Sequence, residues 1–512
     1  MKKNTLKKLM AVLAVALSVN LTLAGCGKKS GDGTTGSKKD TIVIAQGSDA
    51  KSLDPHATND QPSSRVSKQI YSRLVEADED MKIIPGLAEK WTKVDNVTWE
   101  FNLRKGVKFH NGEELKAKDV VFSLKRMEQS KVVAEIIEAV KSVEAKDDYT
   151  VIIKTKEPFA PLLAHLAHTA ASILNEKAVT AGGQNYGQNP VGTGAYKFVS
   201  WEAGNKINLE AFDGYFGEKA KVKNAVFRNI VEGTNRTIGL ETGEVDIAYD
   251  IEPVDKEKVK THKNLQLIEG PSLSYAYIGM NTKKAPFNDP KVRQAINLAV
   301  DKEAIIKTVL NGAGQVANAP IAPQVFGYNK DIKGYPYDKE KAKALLKEAG
   351  KENLKTTIWT NDNPVRVQIA QIVQAQLKEV GVDAKIETLE WSAYLDRTAK
   401  GEHDMYILGW TTVTGDADYA LNPLYSTKSH GSTGNRTFFS DAEVDKLLEE
   451  AKVQSDEKVR LDAYKKIMEK IVAAAPDIML YYTTQNAGLQ KSVEGFKLHP
   501  AGHHNISNVS FK

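Results

Sequence analysis

The chain has 512 residues, of which 41% are hydrophobic, so it is long enough to bury more than one packed core. It has a single cysteine, which excludes an internal disulfide. The formal net charge is +5, but the first 25 residues carry four lysines and no acidic residue, so the charge of the remainder is +1. This remainder lacks the excess positive charge that is typical of nucleic-acid-binding proteins.

The N-terminal segment predicts export. Lysines precede a mostly apolar run from Leu9 to Leu23, which is short for a membrane-spanning helix and typical of a secretory signal peptide. Residues 23–26 resemble the lipobox of bacterial lipoproteins, which implies cleavage before Cys26 and lipidation of its thiol. The alternative is an ordinary signal peptide beside an incidental cysteine. The glycines and lysines that follow, without a large apolar residue, predict a flexible tether up to residue 40.

Hydrophobic periodicity predicts the first folded elements. The apolar run 41–45 is suited to a strand, and Val66, Ile70 and Leu74 recur every four residues, as they do on one face of a helix. Further along, residues 99–103 alternate between apolar and polar side chains and predict a half-buried strand.

Helix signals continue in the second half of the chain. Asp289 and Pro290 predict a helix start, and Arg293 falls off the apolar stripe of that helix and is predicted as a surface charge. Pro364 begins another helix, which Gly381 ends.

Strands alternate with these helices, as expected for an α/β lobe. Residues 382–386 and 405–410 predict two strands. Ser440 is predicted to cap a helix, because Glu443 follows it at the spacing of a capping box.

The stretch from Trp99 to Arg126, with its predicted strand and helix, resembles the signature of the extracellular solute-binding proteins of family 5, the peptide- and nickel-type receptors of ABC importers. Further motifs of that family follow in order at 190–196, 235–246, 280–281, 286–295 and 409–410. The resemblance implies an α/β, bilobal periplasmic-binding-protein-like fold (type II, large cluster C type) with an extra inserted subdomain.

The resemblance also implies domain boundaries. They are 1–25 for the lipoprotein signal peptide, 26–40 for the tether, 41–76 plus 189–271 plus 485–512 for lobe I, 77–188 for its inserted subdomain, and 272–484 for lobe II.

The function implied by the resemblance is that of a substrate-binding lipoprotein of an ABC importer. It would capture small peptides, such as glutathione or other di- to oligopeptides, between two lobes and deliver them to permease subunits with separate ATPases. It would be a monomer, lipid-anchored to the cell membrane on the extracytoplasmic face (outer surface of the cytoplasmic membrane, or periplasm). No cofactor, metal, nucleic-acid partner or enzymatic activity is expected.

Buried peptide termini need fixed partners of opposite charge. Residues 409–423 follow a predicted strand and are predicted to form a loop at its carboxyl end, where α/β lobes commonly bind ligands. The candidate ligand-binding residues here are the carboxylates Asp416 and Asp418 and the aromatic walls Trp391, Trp410 and Tyr419. The alternative is turn chemistry for the aspartates and core packing for the tryptophans.

The sequence departs from the dipeptide receptors of the family. Those have an aspartate three residues after the tryptophan and an arginine near position 360, whereas this chain has Val413 and Thr360. Residues 414–421 are instead similar to the glutathione-binding subgroup. Because glutathione carries two carboxylates, replacement cations are expected, and Arg366 and Arg436 are the candidates, with a plain surface charge as the alternative for each.

Other functions are left open by weaker signals. His165 and His168, three residues apart, keep a receptor for a nickel chelate or another non-peptide solute in view. Ser48 begins a Ser-x-x-Lys sequence, but the other elements of a serine acyl-enzyme are missing. A peptide-sensing or chaperone-like lipoprotein is the third alternative.

Overall fold

The computed structural model of the protein describes residues 39–431 and 434–512. The predicted signal peptide, Cys26 and nearly all of the tether lie outside these residues. Within them, no helix is long and apolar enough to cross a membrane.

Nineteen strands occur in the described residues. They are Thr41–Gln46 (β1), Val75–Ala77 (β2), Ile83–Pro85 (β3), Ala88–Lys93 (β4), Thr98–Leu103 (β5), Val140–Asp147 (β6), Thr150–Thr155 (β7), Tyr196–Glu202 (β8), Lys206–Ala211 (β9), Asn224–Asn229 (β10), Ile247–Tyr249 (β11), Leu265–Met280 (β12), Gln315–Val316 (β13), Leu354–Asn361 (β14), Val382–Leu389 (β15), Met405–Thr411 (β16), Asp477–Gln490 (β17), Val493–Glu494 (β18) and Ser510–Phe511 (β19).

Fourteen α-helices are described in the same ranges. They are Gln61–Ile70 (α1), Ala117–Glu128 (α2), Leu162–Leu166 (α3), Glu176–Gly182 (α4), Gly233–Thr242 (α5), Lys256–Thr261 (α6), Pro290–Ala299 (α7), Lys302–Val309 (α8), Lys339–Glu348 (α9), Pro364–Glu379 (α10), Trp391–Ala399 (α11), Asp418–Tyr425 (α12), Ala442–Val453 (α13) and Glu457–Ala474 (α14).

One large mixed sheet runs through the molecule in the order β15-β14-β16-β12-β17-β11-β1-β10-β9-β8, with β13 paired to β17. Strand β1 is parallel to both β10 and β11, and β14 is parallel to both β15 and β16. Helices pack on this sheet, so the α/β composition predicted from the sequence is confirmed.

Strands β12 and β17 form a long antiparallel ribbon in the middle of the sheet. The ribbon links the part that contains β1 and β8–β11 to the part that contains β14–β16. Its register is interrupted between Pro271 and Tyr275. At the interruption the Ser272 and Thr483 hydroxyls lie 2.6 Å apart, so side chains replace the backbone ladder there.

A smaller antiparallel sheet, in the order β4-β5-β7-β6, has its own hydrophobic core with α2. The predicted alternation in β5 is confirmed, since Trp99, Phe101 and Leu103 are buried and the residues between them are half-buried.

Helix α1 is shorter than its apolar spacing predicts. It ends at Ile70, so Leu74 lies beyond it, although Leu74 is buried. Two glycines of the 190–196 motif pack against this end: a Cβ on Gly192 would lie 2.1 Å from the Ile70 carbonyl oxygen, and one on Gly194 would lie 2.3 Å from that of Gln69. The Gly194 N–H donates to the Ile70 carbonyl at 2.8 Å. The motif therefore caps α1 by close backbone approach.

The helix starts at Pro290 and Pro364 are confirmed, but the prediction for Arg293 is wrong. Arg293 is buried and donates to the carbonyl oxygens of Phe287 and Ala474, which satisfies its guanidinium without exposing it to solvent. The predicted cap of α13 is wrong by one residue, because Asp441, not Ser440, accepts the first free N–H groups of the helix.

Candidate ligand-binding site

The segment after β16 is a short, fixed turn and not one long loop. Gly415 has a φ of +76°, which favours glycine, and its N–H donates to the Thr412 carbonyl at 2.8 Å. Phe326 holds the turn from the other side, since its N–H donates to the Gly415 carbonyl and its carbonyl accepts from Ala417. Helix α12 begins directly afterwards, inside the stretch predicted as a loop.

Asp416 is buried and paired within the protein. Both of its carboxylate oxygens lie 2.8 Å from Nη2 of Arg460, and the Tyr464 hydroxyl donates to Oδ1 at 3.1 Å. Oδ1 also accepts the backbone N–H of Asp418 at 3.0 Å. Asp416 thus connects the turn to α14 and positions the start of α12.

Asp418 is buried but lacks an ion-pair partner among the described residues. Its carboxylate accepts a short hydrogen bond from the Asn422 side chain. Burial, followed by the negative charge of Asp416, raises the pKa of Asp418 to about 7, and the more distant positive charges of Lys452 and Arg460 oppose this shift. The carboxylate therefore ionises near neutral pH without a cation beside it.

Asp418 lines a cavity of about 470 Å³, here called the acidic cavity. Its aromatic wall contains Phe159, Trp410 and Tyr419. The Trp410 indole N–H donates to the Tyr419 carbonyl at 2.9 Å, and their rings are 6.1 Å apart, so each orients the other. The cavity also has five carboxylates in its lining, at Glu135, Glu138, Glu157, Asp418 and Glu449.

A second cavity, of about 540 Å³, lies at the interrupted part of the ribbon and is here called the hinge cavity. Ser272, Thr483 and Thr411 line it. On its other side Arg65 makes two hydrogen bonds to Asp250, at 2.9 and 3.2 Å. Asp250 has a φ of 57°, a conformation that costs energy for a non-glycine residue, so this carboxylate is held in place by its surroundings.

The same two segments of chain line both cavities. From β16 and the turn after it, Trp410 lines the acidic cavity, whereas Thr411 and Val413 line the hinge cavity. From the facing segment, His165 lines the acidic cavity and His168 the hinge cavity. The two cavities are therefore neighbours along β16.

Strand β16 has a free edge beside these cavities. Strand β14 pairs with it only at Met405 and Tyr406, so in the described part of the chain residues 407–411 pair with β12 alone. Gly409 and Thr411 are exposed. On that side the Ile407 carbonyl accepts from the Tyr394 hydroxyl at 2.7 Å and the Thr411 carbonyl accepts from the Val413 N–H at 3.0 Å. The backbone of Gly409 is therefore the part of this edge that is most available to an added strand.

The two candidate arginines and Trp391 form a second group, which lines neither cavity. Arg366 donates to the Asn361 side chain at 2.9 Å and lies over the Trp391 ring, which is 42% exposed. Arg436 has a buried Nε without a hydrogen-bond partner in the described residues. Burial raises the pKa of Tyr277 to about 12, whereas the positive charges of Arg436 and Arg366 lower it. Both arginines are therefore close enough to Tyr277 to affect its ionisation.

The sequence did not indicate several residues that shape the site. Arg65, Asp250 and Glu135 belong to no linear motif, and only the fold brings them to the cavities. The spacing of His165 and His168 is compatible with metal binding, but the two residues line different cavities. The described ranges contain no group of three or more side chains able to hold a metal ion.

Comparison with known proteins gives consistent matches. The family model for bacterial extracellular solute-binding proteins, family 5 (middle), matches residues 82–432. The dipeptide-binding protein of Escherichia coli K12 is 36% identical, over 87% of this chain and 90% of its own. The glutathione-binding protein GsiB of Pectobacterium atrosepticum is also 36% identical, over 90% of this chain and 91% of its own.

A solved structure extends the match to the fold. The ABC transporter-associated periplasmic binding protein DppA from Helicobacter pylori, in complex with the peptide STSA, has a TM-score of 0.79 and 34% identity, and the alignment covers 93% of this chain and 98% of that one. The predicted bilobal class is confirmed by this match and by the mixed sheet.

Proposed function

Since this chain belongs to the bacterial extracellular solute-binding proteins of family 5, we propose that it captures peptides along β16 and delivers them to the permease of an ABC importer. It acts by binding solute and not by catalysis. Its relatives include dipeptide- and glutathione-binding proteins, which supports small peptides as the ligand class.

This proposal rests on the free edge of β16. An extended peptide that adds a strand here would satisfy its backbone chiefly with the N–H and C=O groups of the exposed Gly409, where β16 pairs with β12 alone. Side chains of an extended peptide alternate between two faces. The two cavities, which lie on either side of β16 where Trp410 and Thr411 diverge, match that alternation.

The predicted ligand-binding residues take different roles in this proposal. Trp410, Asp418 and Tyr419 contact the ligand directly, because all three line the acidic cavity. Asp416 is a positioning residue that acts through Asp418. Arg366 and Arg436, with Trp391 beside them, supply positive charge for a ligand carboxylate.

The proposed motion uses the domain boundaries predicted above. The lobe of residues 272–484 closes against the rest of the chain over a bound peptide, with the inserted subdomain 77–188 covering the acidic cavity. Closure is a population shift, so only a ligand that binds the closed form more tightly drives it. The energy for import comes from the ATPases of the transporter.

Binding to the β16 edge predicts a dependence on individual backbone N–H groups. In titration calorimetry with tetrapeptides, N-methylation at one residue should weaken binding at least tenfold, because it removes the donor to the Gly409 carbonyl of β16, whereas methylation at the residues on either side of it should have little effect. A panel with glutathione, di- to pentapeptides and a nickel–histidine complex tests the ligand class. No heat or thermal stabilisation with any peptide would refute the proposal.

A lipid anchor at Cys26 completes the proposed location, on the extracytoplasmic face of the cell membrane. The tether would keep the receptor near its permease and raise its local concentration there. Cys26→Ser should move the protein from the membrane fraction to the soluble fraction and leave the Kd for peptide unchanged within about twofold. Retention of the variant on membranes would show that another contact holds it.

A further inference from the structure

The acidic cavity has more negative charge than its own lysines neutralise. Lys452 pairs with Glu157 and Lys428 pairs with Glu449, each at 2.9 Å. The remaining carboxylates in the lining, at Asp418, Glu135 and Glu138, form no ion pair with any described residue. The other cation in the lining is Lys156, which is exposed.

His165 adds a buried acceptor to this surface. Its Nδ1 lies 2.6 Å from the Ile136 carbonyl oxygen, which can only accept, so Nδ1 carries the proton and Nε2 presents a lone pair. Nε2 is buried without a hydrogen-bond partner in the described part of the protein, and the residue is only 6% exposed. Burial also lowers the pKa of His165, which keeps the ring neutral and Nε2 an acceptor. An N–H donor from a ligand would satisfy it.

Aromatic rings surround these acceptors. The His165 ring packs edge-on against Phe159 and Tyr419, at 5.0 and 6.1 Å, and Trp410 packs on Tyr419. The Tyr419 hydroxyl donates to Glu135 at 3.4 Å, which brings that carboxylate to the aromatic wall. Aromatic faces attract organic cations, and a planar guanidinium can stack on them while its N–H groups bind acceptors.

We propose that the acidic cavity binds the cationic side chain of a peptide held on β16, so that this receptor selects peptides containing arginine or lysine. This inference rests on the proposed function. Trp410 and Thr411 line different cavities. A peptide whose backbone pairs with β16 would likewise direct alternate side chains into the two cavities, so the acidic cavity would receive one side chain of the peptide. Arginine suits this lining best, because it has five N–H donors and no acceptor, whereas Asp418, Glu135 and Nε2 of His165 supply acceptors.

The test compares arginine with citrulline, its neutral isostere, at each position of a tetra-alanine peptide, with lysine and norleucine as a second pair. At one interior position we expect the arginine peptide to have a Kd at least 30-fold lower than the citrulline peptide. Asp418→Asn and His165→Phe should each reduce this ratio to a few-fold, because each removes an acceptor for the guanidinium. Glu379→Gln, which removes a carboxylate that pairs with Lys339 at 2.7 Å and lines neither cavity, is the matched control and should keep the ratio.

The outcomes separate this inference from the proposed function. If arginine and citrulline peptides bind equally at every position, the cavity does not select cationic side chains, although the protein still binds peptides. If N-terminal acetylation abolishes binding and citrulline does not weaken it, the cavity holds the terminal ammonium and the inference is wrong. If no peptide binds, the proposed function fails as well.

Discussion

Arg460→Met should lower the free energy of unfolding by about 3–5 kcal/mol, because it leaves the buried carboxylate of Asp416 without its cation. The side chain of Arg460 also donates to the Ala451 carbonyl and the Tyr464 hydroxyl, so its removal leaves further buried polar groups unpaired. Urea denaturation of the ligand-free protein, followed by circular dichroism, measures the loss.

Lys428→Met is the matched control for this change. It removes a cation from an ion pair of similar length, 2.9 Å, but both partners are largely exposed, and such pairs contribute about 0–1 kcal/mol. Asp416→Asn combined with Arg460→Met should recover part of the lost stability, because no uncompensated charge remains. Equal losses for Arg460→Met and Lys428→Met would contradict a structural role for the buried pair.

Asp418→Asn should change stability and ligand affinity in opposite directions. In the folded protein the Asp418 pKa is about 7, against an ordinary value of 3.8, so between these pH values the folded state holds a proton that the unfolded state has lost. The contribution of Asp418 to the stability of the wild type therefore falls as pH rises from about 4 to 7 and is constant above. Asparagine cannot ionise, so the variant avoids this loss.

The advantage of the variant should grow across that pH range and reach at most about 4 kcal/mol at pH 8. At pH 8 the same variant should bind an arginine-containing peptide at least tenfold more weakly, since the carboxylate that pairs with the ligand is gone. Denaturation curves at pH 4, 6 and 8, together with calorimetric titrations at pH 8, measure the two effects.

Asp477→Asn provides the control for Asp418→Asn. Burial raises the pKa of Asp477 to about 7 as well, but this residue lies at the start of β17 and lines neither the acidic nor the hinge cavity. Its replacement should give a pH-dependent gain in stability of the same sign, reduced because the buried Lys302 loses the negative charge of Asp477, with no change in peptide affinity. If Asp418→Asn is no more stable than the wild type at pH 8, the carboxylate has a counter-charge that we have not identified.

Local signals in the sequence identified much of the fold. Proline at the first helical position and glycine after the last turn located α10, and strict alternation located β5, because these effects depend on neighbouring residues only. The prediction of an exposed Arg293 is wrong because the burial of this residue depends on a distant part of the chain. The carbonyl of Ala474 that accepts from it is remote in sequence, so no local pattern distinguishes this buried arginine from an exposed one.

The roles of residues in the candidate site also depend on contacts that are remote in sequence. Asp416 and Asp418 are two residues apart, and no local sequence feature distinguishes their roles. The fold places Arg460 against Asp416 and leaves Asp418 beside a cavity. Similarly, α3 ends at Leu166, so His165 and His168 do not share a helix face and point to separate cavities. Only long-range packing assigns these roles.

The free edge of β16 also bears on aggregation. An unpaired strand edge can pair with the edge of another molecule and start intermolecular sheets, which most proteins prevent with charge, proline or a covering element. Here the exposed part of the edge is short, around Gly409, and the segment that contains His165 and His168 lines the same two cavities. A short edge beside a covering segment offers little backbone to the sheet of another molecule. The protein can therefore keep a peptide-binding edge open without polymerising through it.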